Sequence, residues 1–135
     1  MPQKKSQELF DSEWTIMKVV WEHEPMAAPD VQEYLQEQKG WAYTTVKTLM
    51  DRMVKKGLLK TERVRNLYLY RAGISRFEAR KQELLKTLRR AFDGAFAPMM
   101  QFLVNTDQLS DQDIEALQQL LRQKKCERRK SDPTQ

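Results

Sequence analysis

The segment AYTTVKTLMDRMVKKG, residues 42–57, constrains this chain more than any other. Its apolar residues Val46, Leu49, Met50 and Met53 fall on one face of a helix. Thr44, Thr48, Asp51 and Lys55 fall on the opposite face, flanked by Thr45, Lys47 and Arg52. Threonines are poor helix formers, so a face carrying three of them points to a reason other than helix stability. Gly57 stands where a left-handed C-cap belongs. Such a helix buries one side in a core and offers hydroxyls and cations to a partner.

Two helices are predicted before it. The first spans Asp11–Glu24, with Trp14, Met17, Val20 and Trp21 on one stripe, Asp11 or Ser12 as cap and Pro25 as terminator. The second opens at Pro29 and runs to about Gln38, with Val31, Tyr34 and Leu35 inward and Gly40 as its stop. After the third helix, LLKTER and LYLYR alternate, are rich in β-formers, and flank a short turn at Val64, Arg65 and Asn66. Three helices followed by a small hairpin is the winged-helix order. The expected fold class is mainly α with a small β-hairpin. A winged helix-turn-helix occupies residues 1–73 and a helical region residues 74–125.

The helical region begins with the capping box Ser75-Arg-Phe-Glu78 and a helix to about Asp93, interrupted by Gly94. Pro98 opens a short helix, and Ser110 caps a last one that runs to about Lys124. Residues 126–135 have no apolar pattern and read as a disordered tail. Phe96, Met99, Met100, Phe102, Leu103, Ile114, Leu117, Leu120 and Leu121 are too large an apolar load for two short helices to bury within one chain. A second copy of the same surface covers it, so a twofold homodimer is expected.

Charge sharpens the functional reading. Residues 39–71 carry nine Lys/Arg against two acids, whereas residues 1–38 carry three against eight. Concentrated positive charge on a compact segment attracts a polyanion, because binding releases condensed counterions. Thr44, Thr45, Lys47, Thr48 and Arg52 are the candidates for contact with bases and adjacent phosphates of double-stranded DNA. A threonine offers a hydroxyl to a base edge and a methyl to thymine. Lys55, Lys56, Lys60, Arg63 and Arg65 are candidates for phosphates, and such contacts position rather than specify. Arg65, at the hairpin tip, is placed for a minor groove. The rival reading is a winged helix that binds protein only; it predicts a third-helix face without this Lys/Arg/Thr bias.

Other chemistries find no support. With one cysteine, Cys126, and one histidine, His23, the chain has no disulfide framework and no cysteine- or histidine-rich metal site. The phosphate loops and nucleophile elbows of enzymes are absent, and no cofactor is implied. Trp14, Trp21 and Trp41 read as core or core-edge residues and the seven methionines as core filler. No apolar run reaches the roughly 20 residues that span a bilayer, and the first ten residues lack a signal-peptide core. A cytoplasmic protein without membrane insertion is expected.

SEWTIMKVVW (12–21), WAYTTVKTLMDRMVKKGLL (41–59), LYLYR (67–71) and SDQDIEALQQLL (110–121) together resemble the penicillinase, methicillin-resistance and copper-responsive repressors. The resemblance implies a repressor that dimerises through C-terminal helices, binds an inverted-repeat operator and controls a resistance or homeostasis gene. The copper-responsive members carry paired cysteines near the C-terminus. A lone Cys126 cannot form the thiolate cluster that soft metals prefer, which argues against that branch. In the β-lactam branch the resemblance implies a membrane sensor protease as partner and cleavage before a phenylalanine. The corresponding bond is Gln101–Phe102, with glutamine where the best-known members have asparagine.

Overall fold

The computed structural model describes residues 7–131. In chain order the elements are α1 (Asp11–His23), α2 (Ala28–Lys39), α3 (Tyr43–Lys56), β1 (Leu59–Val64), β2 (Leu67–Ala72), α4 (Arg76–Phe92), α5 (Phe96–Asn105) and α6 (Asp111–Ser131). The chain divides into two compact units, one ending at Lys86 and the other beginning at Thr87. This division falls inside α4.

The first unit is built on one core. Ile16, Met17 and Val20 of α1, Val31 and Leu35 of α2, and Val46, Met50 and Met53 of α3 are buried with Leu58, Leu59 and Tyr70. The helical periodicity read from the sequence therefore points inward in all three helices, with one exception. Tyr34, expected inward, is 53% exposed and stacks on His23 with ring centroids 4.4 Å apart. Trp14, Trp21 and Trp41 pack at the edge of the core, as expected. Trp21 donates its indole N–H to the Ile74 carbonyl at 3.0 Å, joining α1 to the start of α4.

β1 and β2 pair antiparallel from Leu59↔Ala72 to Val64↔Leu67, so Arg65 and Asn66 alone make the turn. Met26 adds a single bridge to Tyr70, with N–H···O distances of 3.1 and 2.7 Å. The hairpin base is closed by Gly73, whose N–H donates to the Leu58 carbonyl at 2.8 Å.

The start of α1 departs from expectation, whereas the caps at Ser75 and Ser110 are as expected. Neither Asp11 nor Ser12 caps α1. Phe10 is the N-cap, and Glu13 reaches back so that the Phe10 N–H donates to its Oε1 at 2.9 Å. A third-position carboxylate satisfies an amide left over at the helix start, so no capping hydroxyl is needed. Ser75 accepts from the Glu78 N–H, and Ser110 and Asp113 cap each other, both bonds at 3.1 Å.

In the second unit α5 starts at Phe96, two residues before Pro98. Phe92 and Phe102 meet edge to face with centroids 6.5 Å apart, and Met99 is buried. α6 does not stop near Lys124; it continues to Ser131, so residues 126–131 are helical rather than a disordered tail, and 132–135 lie outside the described residues. The apolar stripe of this helix ends at Leu121, but burial is not needed for the helix to continue. Arg122–Lys130 is rich in good helix formers, and its cations sit at the helix's negative end.

Candidate nucleic-acid interface

α3 owes its position to its apolar stripe. Val46, Met50 and Met53 are fully buried, which turns the opposite side outward. On that side Thr44, Thr45, Thr48, Asp51, Arg52 and Lys55 are exposed. Gly57 adopts the left-handed conformation, φ 83°, and its N–H donates back to the Val54 carbonyl, turning the chain into β1. The hairpin holds Lys60, Arg63 and Arg65 exposed. Arg65, at φ 58°, takes the left-handed turn position, and its carbonyl accepts from Arg63 Nε at 3.3 Å. The Arg63 guanidinium lies 5.7 Å from the Tyr68 ring centroid. Across the strands Arg71 pairs with Glu62 at 2.9 Å. Arg52, Lys55, Lys60 and Arg65 form no ion pair among the described residues, so their charge faces solvent.

Two of the expected DNA-contacting cations are engaged inside the domain. Lys47 Nζ donates to Asp51 at 2.9 Å and to the Tyr70 hydroxyl oxygen at 2.7 Å. The Tyr70 hydroxyl, and after it Asp51, holds the Lys47 ammonium above its ordinary pKa. Lys56 Nζ lies 2.7 Å from Glu13, donates to the Glu8 carbonyl at 2.6 Å and sits 4.3 Å above the Phe10 ring. Lys56 thus anchors the chain entering α1, and Lys47 braces α3 against β2. The cations of α3 and the hairpin among the expected contacts that form no ion pair among the described residues are Arg52, Lys55, Lys60, Arg63 and Arg65, beside three threonines.

The sequence reading missed Tyr70, Glu13 and the role of Asp51. Asp51 had a legible signal, since a carboxylate four residues after Lys47 shares a helix face with it. Tyr70, and the pairing of Glu13 with Lys56, had none, because those partners are distant in the chain.

The penicillinase repressor family model matches residues 9–123. The chain belongs to that family. It is a DNA-binding transcriptional repressor, and not an enzyme. An uncharacterised 16.5 kDa protein of Latilactobacillus sakei is 32% identical over 87% of this chain and 81% of its own length. The penicillinase repressor of Bacillus licheniformis is 28% identical over 90% and 95%, and the methicillin resistance regulatory protein MecI of Staphylococcus aureus strain N315 is 25% identical over 89% and 98%. Among solved structures, the DNA-binding domain of the repressor BlaI matches 56% of this chain and 93% of its own, at 28% identity and a TM-score of 0.50. The repressor's winged helix-turn-helix followed by C-terminal helices agrees with the fold class expected from its sequence.

The expected dimer residues of the second unit are mostly open to solvent. Phe96, Phe102, Leu120 and Leu121 are about 60% exposed, Leu103 and Ile114 around 40%. Met100 and Leu117 are half-buried, and Met99 alone is buried. The Gln101–Phe102 bond lies in the middle of α5. No helix of the described residues is long and apolar enough to cross a membrane.

Proposed function

We propose that the repressor acts in the cytoplasm as a homodimer on an inverted-repeat operator, with residues 1–73 reading DNA and residues 74–125 pairing the subunits. The observation that carries this is the outward face of α3. It offers Thr44, Thr45, Thr48 and Arg52 to base edges while its other cations are tied back or stand with the hairpin for phosphates. The exposed apolar residues of α5 and α6, among them Phe102, Leu120 and Leu121, support a twofold interface that covers them. Relatives named for penicillinase and methicillin resistance support a resistance gene as the regulated target.

Derepression then acts on the dimer. Joining two half-site readers makes the second contact intramolecular, and this raises affinity by about 10²–10⁴ without new contacts. A membrane sensor protease that led to cutting at Gln101–Phe102 would detach α6 with Leu117, Leu120 and Leu121. Because that bond is helical, α5 has to open locally before it can be cut. The test is a chain ending at Gln101 compared with the full chain by ultracentrifugation and by binding to DNA upstream of the repressor's own gene. A dimeric full chain and a monomeric truncated chain with weakened binding are expected. A truncated chain that stays dimeric or binds as tightly overturns the mechanism.

A further inference from the structure

Beyond residue 123, where the family match ends, α6 continues as a helix to Ser131. Residues 122–130 carry Arg122, Lys124, Lys125, Arg128, Arg129 and Lys130 against one acid, Glu127, and every one of them is exposed. The apolar stripe of α6, Ile114, Leu117, Leu120 and Leu121, stops one residue before this stretch. We infer that the end of α6 is a second, sequence-independent DNA-binding surface that adds phosphate contacts to those of the winged helix.

The chemistry selects this partner over others. A helix that lies in an anionic bilayer needs an apolar face beneath its cations, and a coiled-coil partner needs apolar seam positions. Between Arg122 and Lys130 the sequence supplies neither; Cys126 is its sole apolar side chain. What remains is a helix end with six cations in nine residues, spanning about 12 Å at 1.5 Å per residue, enough to meet about two phosphates of one strand. Lys125 and Arg129 are like charges one helical turn apart, a repulsion carried on that side of the helix. A phosphate backbone relieves that repulsion. The repressor already sits on DNA through its first unit, so the second contact is made at high local concentration. A twofold dimer carries the surface twice. This part of the inference rests on the proposed DNA-binding dimer.

The experiment uses the full chain and a variant with Lys124, Lys125, Arg128, Arg129 and Lys130 all changed to Gln, on a 60-base-pair duplex of random sequence. That probe contains no operator, so the result does not depend on operator reading. Circular dichroism and ultracentrifugation first establish that the variant keeps its helix content and association state; a chain ending at Gln123 serves as the second variant. If each of two subunits loses about two phosphate contacts, the slope of log affinity against log salt becomes shallower by about 3–4, and affinity near 100 mM salt falls about tenfold or more. An unchanged slope and affinity in both variants overturn the inference. Loss of binding to vesicles of anionic lipid with DNA binding intact overturns it in favour of a membrane surface. Retained random-duplex binding with lost operator discrimination in Arg52→Ala would bear on the proposed function alone.

Discussion

The ammonium of Lys56 lies 2.7 Å from the carboxylate of Glu13, and this pair ties the last residue of α3 to the first turn of α1. The Glu13 side chain is 4% exposed and Lys56 22%. Glu13 also accepts the Phe10 N–H, so one buried carboxylate caps a helix and holds a cation. Lys56, expected from the sequence to meet phosphates, is thus also paired within the fold, between α3 and the start of α1.

Lys56→Met is therefore expected to lower stability. Leaving a buried carboxylate without its cation costs up to about 3–5 kcal/mol, and the partial exposure of Lys56 reduces this to about 1–3 kcal/mol. Adding Glu13→Gln should recover part of the loss, because no unpaired charge remains. Urea unfolding of the wild type, both single variants and the double variant measures it. A stable Lys56→Met with weakened DNA binding would return Lys56 to the interface.

Gly73→Ala should be among the most damaging small substitutions. A Cβ there would lie 2.4 Å from the Gly57 carbonyl oxygen, and that neighbour is backbone at the turn into β1. The clash also strains the bond from the Gly73 N–H to Leu58. Overpacking of this kind costs about 1–3 kcal/mol, read as a lower urea midpoint at unchanged slope.

Tyr70→Phe tests the brace on Lys47. The Tyr70 hydroxyl, with Asp51, raises the Lys47 pKa in the folded state above its ordinary 10.5. A raised folded pKa contributes stability that is fully present below the unfolded pKa and fades as pH rises through the folded one. The stability gap between wild type and Tyr70→Phe should thus be level from pH 7 to about 10 and shrink above 10.5. A gap that widens with alkalinity would contradict the assignment. The measurement is urea unfolding at a series of pH values.

Arg52→Ala and Thr48→Ala should reduce discrimination between operator and scrambled DNA, by roughly 1–3 kcal/mol for a good base contact. Lys60→Ala, on the hairpin, should weaken binding to both alike and make the salt slope shallower by about 0.9 per subunit. Parallel titrations on the two DNAs decide it, and an unchanged affinity ratio for both helix variants would count against the placement of α3 in the groove.

Leu121→Glu should impair pairing of subunits without unfolding either unit, since the side chain is 62% exposed in the single chain. A rise in the monomer fraction by ultracentrifugation, with circular dichroism unchanged, is expected.

Local sequence pattern determined which elements this repressor forms and in what order. The stripe in α3, the β-formers of β1 and β2, and the cap at Ser110 are local properties, legible because they depend on neighbours within a few residues. The same locality explains the misplaced ends. The first-turn cap passed to Glu13, and α6 ran past its apolar stripe because helix formation there needs no burial. Which cations are paired within the fold was decided only by the tertiary structure. Lys47 meets Tyr70 across 23 residues of chain and Lys56 meets Glu13 across 43. Helical spacing places a charge on a face, but a charge is neutralised by whatever lies within a few ångströms, and folding brings those partners together from far along the chain.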